Sequence, residues 1–325
     1  MDLQQHAGLE ASFSQPPVHV QHRLFDHVRG GPLDGGVLGD PFPELPDVPV
    51  PGLELGHVAA PSHQRLHVPL LPGLLDLLIE EVTDTGEALK GAIHDVLAIS
   101  ALPGIEVEGI FTHFANADRR DKSHAKTQLS RFNKLLRTLE KHSLRVRYRH
   151  AANSAAIIEM PASHLDLVRP GIAQYGLWPS DEVDRQRIDL KPVMSIKSRI
   201  IHVKDVGADF PVSYGSTHVT PRPTRIATIP VGYADGYDRI LSSRGHMLVS
   251  GVRAPIIGRV CMDLTMIDVG HVPGVRLEDE VVLLGSQGEE TISADEIAER
   301  VGTINYEIVS SLTSRVPKVY ITEEL

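Results

Sequence analysis

The sequence predicts an α/β domain with parallel strands, followed by a second domain rich in β-strands. Between about residue 79 and residue 190, strand-like and helical segments alternate, and the strand-like segments end in polar residues. From about Lys191 to Leu325, short alternating runs are separated by Gly, Pro and Asp, which is typical of β-structure. A chain of 325 residues is also long for a single domain.

Composition excludes several classes of partner. The net charge is -10 and Lys and Arg form no long run, which argues against binding to nucleic acid or to a membrane surface. The only cysteine is Cys261, so no intrachain disulfide can form. No segment is long and apolar enough to span a bilayer, and the first 15 residues lack a signal-peptide pattern. We therefore expect a cytoplasmic protein.

Residues 1–78 have a composition unlike the rest of the chain. They contain no Lys, Ile, Asn or Tyr and are crowded with Pro, Gly, His, Val and Leu. One interpretation is a natural Pro-rich disordered extension. The other is translation of another reading frame, or of the opposite strand, of a GC-rich gene, and the joint absence of residues with A/T-rich codons favours it. Under either interpretation no compact fold is expected before about residue 80.

The α/β pattern begins with a helix over Glu87–Ser100 and a buried strand over Ile105–Ala115. An amphipathic helix over Ser123–His142 follows. The apolar residues of that helix recur at three- and four-residue steps, at Ala125, Leu129, Phe132, Leu135, Leu136 and Leu139. The segment "LRVRYRHAAN" predicts the next strand, and a short helix begins at Ser154. In parallel α/β folds, chemistry collects at the carboxyl ends of the strands.

The β-rich region contains "VMSIKSRIIHVKDV", "TRIATIPVGYA", "GHMLVSGVRAPIIGRVCMDLTMIDV" and "DEVVLLG" as alternating runs. One helix is predicted to interrupt it, where Ser293 and Glu296 form a capping-box pattern ahead of "IAERV". The chain has no Walker motif and no dinucleotide glycine fingerprint, and no metal site is predicted.

Three predicted strand exits supply polar groups that could converge. A hydroxyl, an amide and exposed backbone N–H groups on adjacent loops form a plausible phosphate cradle. Any one of these residues could equally be a helix cap or a satisfied buried group, so the hypothesis depends on their occurring together. The residues are His113, His150, Asn153, Ser154 and Arg169, with the backbone of Gly171 and Ile172.

A separate candidate lies in "PVSYGST", where Ser213 and Gly215 flank Tyr214 after a strand-like run. Two interpretations of Tyr214 are open from the residues alone. It could be a turn tyrosine that packs on a strand edge, or a phenol that a substrate can reach.

Seven segments together resemble the serial motifs of pyridoxal-phosphate-dependent alanine racemases, in that family's order and spacing. They are "EVEGIFTHFANAD", "HAANSAA", "VRPGIAQYG", "PVSYGST", "IPVGYADGY", "GRVCMD" and "TINYEI". The resemblance covers about three quarters of the chain, from Glu87 onward, and fails in residues 1–78. It implies the C-terminal part of a (β/α) barrel followed by a β-domain. It also implies interconversion of L- and D-alanine through an aldimine of pyridoxal phosphate, in the supply of D-alanine, by a homodimer with shared active sites.

The resemblance also implies roles for individual residues. Arg169 resembles the arginine that hydrogen-bonds the pyridine nitrogen, and His113 resembles a partner of that arginine. Tyr214 resembles one of two catalytic bases, supplied by the partner subunit, and His150 resembles the residue that hydrogen-bonds it. The phosphate contacts are Asn153, Ser154, Gly171, Ile172 and Tyr306; the substrate-carboxylate contacts are Met262, through its backbone, and Asp263; the narrow entrance is lined by Tyr233, Arg259 and Ile304.

The family's second base is missing from this chain. That base is a lysine that also carries the cofactor, in a stretch resembling "VVKADAYGHG", and no lysine precedes Lys90 here. The family's "DTGMGR" arginine is missing too, because Leu89 occupies its place in the superficially similar segment Thr83–Ala92. None of the nine lysines follows a strand that would direct it into a barrel mouth. We therefore expect the chain as written to fold poorly and to racemise little or nothing.

Two other functions stay open from the sequence. A pyridoxal-phosphate-dependent amino-acid decarboxylase of related barrel fold would release CO2. A non-catalytic dimerisation module would consist of the β-domain alone, and a fragment from about Lys191 to Leu325 would then associate without cofactor.

Overall fold

The computed structural model describes residues 19–23, 73–78 and 86–321, with side chains from Leu89 to Ile321. Within residues 1–78 two short strands are described, and the rest of that segment lies outside the described residues. Both strands pair with strands from later in the chain, which gives their backbone groups hydrogen-bond partners. Each of these strands is an isolated piece that joins a sheet built from later residues.

Five α-helices are described: α1 (Gly86–Ser100), α2 (Ser123–Lys141), α3 (Ser154–Glu159), α4 (Ala294–Val301) and α5 (Asn305–Ser310). The described strands are β1 (His19–Arg23), β2 (Gly73–Leu78), β3 (Ile105–Phe111), β4 (Tyr148–His150), β5 (Met194–Arg199), β6 (His202–Val206), β7 (Pro211–Val212), β8 (His218–Val219), β9 (Thr224–Ile229), β10 (His246–Val249), β11 (Val252–Pro255), β12 (Thr265–Asp268), β13 (Glu280–Gln287), β14 (Glu290–Ile292) and β15 (Lys318–Ile321).

The described residues fall into two compact units. The α/β unit contains a parallel three-stranded sheet in the order β2-β3-β4, and an isolated parallel bridge from His150 to Leu167 continues it. A complete (β/α) barrel has eight parallel strands, so the described part of the sheet is an incomplete barrel. This confirms the predicted fold class.

Helix α2 buries the face that its sequence periodicity predicts. Its buried residues are Ala125, Leu129, Phe132, Leu135, Leu136 and Leu139. They form one hydrophobic cluster with residues of α1, β3 and α3, among them Val96, Ile110 and Ala155. The single tryptophan, Trp178, packs against this cluster.

The β-rich unit comprises residues 175–177 and 191–321 of the described chain, together with β1. Its largest sheet has the order β11-β10-β13-β5-β1-β15, and β14 also pairs with β13. A three-stranded sheet (β12-β9-β6) and the β7-β8 hairpin complete it. Strands β10 and β13 supply several fully buried side chains, including Met247, Leu248 and Leu283.

Three predictions about local elements require correction. The capping box at α4 is only half formed: the Ser293 side chain accepts a hydrogen bond from the Glu296 N–H (3.0 Å), but the Glu296 carboxylate binds Arg253 and Arg300 instead of the cap backbone. The β-rich region contains two α-helices rather than one, because α5 is too short for periodicity to reveal. Two strands were predicted to be longer than they are: β3 ends at Phe111, and only Tyr148–His150 of "LRVRYRHAAN" pairs with it.

No helix in the described part of the chain combines the length and the apolar character needed to cross a membrane.

Candidate functional site

Arg169 is the centre of the polar cluster at the strand exits of the α/β unit. Its Nη1 donates to Nδ1 of His150 (2.5 Å) and its Nη2 donates to the carbonyl of Thr112 (2.9 Å). The same Nη2 lies 3.4 Å from Nδ1 of His113. The structure therefore brings three of the predicted residues into direct contact at the carboxyl ends of β3 and β4.

An aromatic shelf supports this guanidinium. The rings of Phe111 and His150 are stacked, with centroids 4.7 Å apart and planes 8° from parallel. The Arg169 guanidinium carbon lies 5.0 Å from the centre of the Phe111 ring, a cation–π distance. Phe111 was not among the predicted residues, because an aromatic residue at the end of a buried strand is indistinguishable from a core residue in the sequence.

Both histidines of the cluster face a guanidinium that stays charged. An Nη1–H of Arg169 donates to Nδ1 of His150, so that ring nitrogen is the acceptor. Burial, and secondarily the charge of Arg169, hold the pKa of His113 below its ordinary value. Burial also lowers the pKa of Arg169, which nevertheless stays charged. The cluster therefore carries one fixed positive charge.

Gln128 fixes the loop that bears His113. Its Nε2 donates to the His113 carbonyl (2.7 Å) and to the Thr112 hydroxyl (3.1 Å), and its Oε1 accepts from the Ala115 N–H (3.3 Å). This residue was missed in the sequence. Yet it lies in helical register with Ala125 and Phe132 on the apolar face of α2, and a polar residue on such a face was the available signal.

A second group of predicted residues lies where α3 begins. The Ser154 hydroxyl accepts from the Ala173 N–H (3.2 Å), and a Cβ added at Gly171 would lie 3.8 Å from that oxygen. Ile172 begins a 3-10 turn over Ile172–Tyr175, and N–H groups at a helix start lack intrahelical acceptors. The side-chain oxygen of Asn153 caps α3 by accepting from Ala156, so only the amide NH2 of Asn153 remains for a ligand.

In the β-rich unit, Tyr214 is the most exposed of the predicted residues, with 75% of its surface accessible. It begins a short 3-10 turn between β7 and β8. A Cβ at Gly215 would lie 3.8 Å from an Nη atom of Arg259, so that guanidinium lies beside the tyrosine turn. The alternative that Tyr214 packs on a strand edge does not fit this exposure.

Met262 and Asp263 lie on a loop that is bound to the turn at Tyr233. The Tyr233 N–H donates to the Cys261 carbonyl and the Ala234 N–H donates to the Met262 carbonyl, each at 3.0 Å. Arg315 donates to the Asp263 carboxylate (2.5 Å). The loop and the Tyr233 turn lie so close together that a Cβ at Gly232 would be 2.2 Å from the Cys261 carbonyl oxygen.

Ile304 and Tyr306 stand at the start of α5. Ile304 is the N-cap residue of this helix, and both side chains are exposed. Between them, Asn305 is buried and donates to Asp295 (2.7 Å), which anchors α5 to α4. Among the described residues, no group of three or more His, Cys, Asp or Glu side chains could hold a metal ion.

The fold and these two sets of residues define a class of protein. It is an incomplete parallel α/β barrel with polar groups at its strand exits, followed in the chain by a β-domain that presents an exposed tyrosine. The family model "Alanine racemase, N-terminal domain" matches residues 85–179, and "Alanine racemase, C-terminal domain" matches residues 193–320. The chain belongs to the alanine racemase family.

Individual relatives agree with the family models. The chain is 58% identical over 231 residues to an alanine racemase of Desulfosudis oleivorans, covering 71% of this chain and 59% of that protein. It is 43% identical over 262 residues to an alanine racemase of Methanococcus maripaludis, covering 80% of this chain and 68% of that protein. The chain spans about three fifths of the length of the first curated relatives it matches.

Solved structures give the same result. An alanine racemase of Clostridium difficile in complex with cycloserine is similar with a TM-score of 0.70 and 34% identity, over 78% of this chain and 65% of that one. An alanine racemase of Bacillus anthracis with bound L-Ala-P is similar with a TM-score of 0.69 and 37% identity, over 76% of this chain and 64% of that one.

Proposed function

We propose that this chain carries the C-terminal part of the machinery of an alanine racemase, which interconverts L- and D-alanine. The observation that carries the proposal is the Arg169 cluster, in which a fixed guanidinium is bound to His150 and to the strand-exit backbone. Tyr214, exposed on a turn of the β-rich unit, supplies one of the two proton-transfer groups that racemisation needs. Racemisation is the activity of the family, and this chain carries only some of the residues that the reaction needs.

The residues present fit the non-covalent contacts of pyridoxal phosphate, on which the family depends. The Ser154 hydroxyl and the N–H groups of Gly171 and Ile172 would hold the phosphate, with Asn153 and Tyr306 as further contacts. A guanidinium has five N–H donors. The bonds to the His150 ring and to the Thr112 and Ala151 carbonyls engage Nη1 and Nη2 of Arg169, so the Nε–H and one Nη1–H remain as donors for the pyridine nitrogen.

The residues do not fit covalent attachment of that cofactor. All nine lysines lie within the described residues, and seven of them are exposed to solvent. The other two are engaged elsewhere, since Lys122 pairs with Glu159 and Lys197 with Glu280. None lies within hydrogen-bond reach of Arg169 or Ser154 in the contacts that the structure shows. The chain by itself therefore racemises little or nothing.

The proposed roles follow from the chemistry of each residue. When bound, pyridoxal phosphate supplies an electron sink for the carbanion at the substrate Cα. Arg169 cannot give up its proton, so it would bind the pyridine nitrogen without protonating it and keep that sink weak. Tyr214 would move a proton at one face of Cα. The family's lysine, which this chain lacks, is the group that acts at the other face. The Met262 backbone would orient the substrate carboxylate, and Asp263, bound to Arg315, would lie beside it in the substrate site.

Substrate, assembly and location complete the proposal. Tyr233 and Ile304, which are exposed, and Arg259, which is half-buried, would line a narrow entrance for a small amino acid, alanine. The resemblance supports a homodimer in which Tyr214 acts in the active site of the partner subunit. A single cysteine suits a reducing compartment, so we propose a cytoplasmic protein.

The first test is the intact mass of the purified chain incubated with pyridoxal phosphate, with and without borohydride reduction. We expect no adduct at any single lysine, and no racemisation of alanine in a coupled assay. Without reduction, the amount of cofactor that the chain retains should fall in Arg169→Met and in Ser154→Ala. It should not fall in Arg187→Met, an exposed control in the same unit. A stable adduct at one lysine with racemisation would overturn the proposed lack of activity, and release of CO2 would indicate the decarboxylase.

A further inference from the structure

Ser213, the residue before Tyr214, holds an uncommon backbone conformation. Its φ is 65° and its ψ is -178°. This region of φ and ψ is essentially restricted to glycine, and a residue with a Cβ persists there only when its surroundings hold it. Ser216 (φ 47°) also has a positive φ, so two non-glycine residues of the turn that bears the tyrosine are strained.

The Ser213 hydroxyl supplies the contact that holds this conformation. Its Oγ donates to the carbonyl of Arg259 (2.8 Å) and lies 3.5 Å from Sγ of Cys261. The segments can approach this closely because residue 258 is a glycine with φ 75°. A Cβ at Gly258 would lie 2.6 Å from the Cβ of Ser213 and 2.9 Å from the Val212 carbonyl oxygen.

The segment that accepts this hydrogen bond is itself anchored. The Gly258 N–H donates to the Ser243 hydroxyl (3.1 Å) and the Val260 N–H donates to the Ser242 hydroxyl (3.0 Å). Its far end is bound to the Tyr233 turn through the carbonyls of Cys261 and Met262. Ser213 therefore ties the tyrosine turn to a fixed frame, and that frame continues directly into Met262.

Tyr214 has no comparable restraint of its own. Its ring is exposed, and in the described part of the chain its side chain makes no hydrogen bond or ring contact that would orient it. The direction of the phenol therefore depends on the backbone of residues 213–215. We propose that Ser213 is a positioning residue that sets the direction of Tyr214 relative to Met262. This inference rests on the proposed role of Tyr214 in proton transfer.

Three variants of the full chain separate strain from hydrogen bonding. Ser213→Ala removes the bond to Arg259 and keeps the strained backbone, whereas Ser213→Gly removes both the bond and the strain. The matched control is Ser216→Gly, which relieves a positive φ in the same turn without touching the Arg259 carbonyl. A residue with a merely structural role would show its effect throughout the β-rich unit.

The measurements are hydrogen–deuterium exchange by mass spectrometry and ¹⁹F NMR of chain labelled with 3-fluorotyrosine, with the 214 resonance assigned by Tyr214→Phe. Loss of one net hydrogen bond should raise amide exchange in residues 214–217 about three- to tenfold in both Ser213 variants. The chemical shift of the 214 resonance should change in both. Exchange in β13 and the ¹⁹F spectrum of Ser216→Gly should match the unmodified chain.

The proposal is overturned if the 214 resonance and local exchange do not change in the Ser213 variants, or if exchange rises equally in β13. Neither readout needs cofactor or turnover, so failure here differs from failure of the proposed function. If another residue were shown to be the base while Tyr214 stayed ordered, the proposed proton-transfer role of Tyr214 would be refuted. The positioning role of Ser213 would stand.

Discussion

Replacing Lys122 by Met should destabilise the α/β unit by about 3–5 kcal/mol. The Lys122 ammonium donates to the carbonyls of Ala117 (2.8 Å) and Arg119 (2.5 Å) and pairs with the Glu159 carboxylate. The two charged side chains are only 13% and 11% exposed. Removing one partner of a buried pair leaves an uncompensated charge, and this accounts for most of the cost.

A double-mutant cycle distinguishes that cost from the loss of the two carbonyl contacts. In Lys122→Met combined with Glu159→Gln no buried charge remains, so the loss should shrink to about 1–2 kcal/mol. The coupling free energy is the sum of the two single-variant losses minus the double-variant loss. Because Glu159→Gln alone should also be destabilising, the coupling should exceed about 2–3 kcal/mol in favour of the pair. In the parent chain Glu159 accepts from the Asp184 N–H (3.1 Å), and after Glu159→Gln the new amide oxygen would keep this contact.

Urea unfolding followed by tryptophan fluorescence is the assay, because the single tryptophan, Trp178, packs on the core of this unit. Arg187→Met is the control, since its ion pair with Asp184 is about half exposed and should contribute less than about 1 kcal/mol. A loss below about 1 kcal/mol for Lys122→Met, or additive effects in the cycle, would refute the assignment of a buried, coupled pair.

Three further predictions concern the two histidines with lowered pKa and the core. Arg169→Met should raise the pKa of His113 only part of the way to its ordinary value, because burial, the larger cause, remains; imidazole NMR measures this, and an unchanged pKa would contradict it. Burial and the nearby guanidinium groups hold the pKa of His246 below its ordinary value, so the unfolded state takes up the proton first as pH falls. The free energy of unfolding should therefore decrease below about pH 6.5. In urea titrations between about pH 7 and 5, this decrease should be smaller in His246→Gln. Equal slopes of unfolding free energy against pH in the parent chain and in the variant would contradict the prediction. Phe132→Ala, in the core of α2, should cost about 3–5 kcal/mol by Trp178 fluorescence, and a cost below about 1 kcal/mol would show that this core is loosely packed.

Much of the fold was predictable from local pattern. The buried face of α2 follows from apolar residues three and four positions apart, and that spacing is a property of the helix itself. Strand lengths were less predictable. The segment around Arg147 looks like strand, yet regular pairing with β3 begins only at Tyr148, since the partner strand determines where a ladder starts.

The candidate site was predictable in its residues and not in its connections. The serial motifs point to Arg169, His150 and His113, but nothing in their spacing shows which atoms meet. Gln128 and Phe111 support these groups from a helix face and a strand end, and each resembles an ordinary local residue in the sequence. Their contribution appears only when segments distant in the chain are brought within hydrogen-bond distance.

By itself the sequence determined the family, through seven ordered motifs, and the absence of any lysine before Lys90, because residue identity and order are its direct content. The tertiary structure decided the lowered pKa of His113, the burial of Lys122 against Glu159, and the glycine-like backbone of Ser213. The physical reason is the same in each case. Charge state, ion-pair strength and tolerated strain depend on distance and solvent exclusion between residues far apart in the chain, and those quantities arise only on folding.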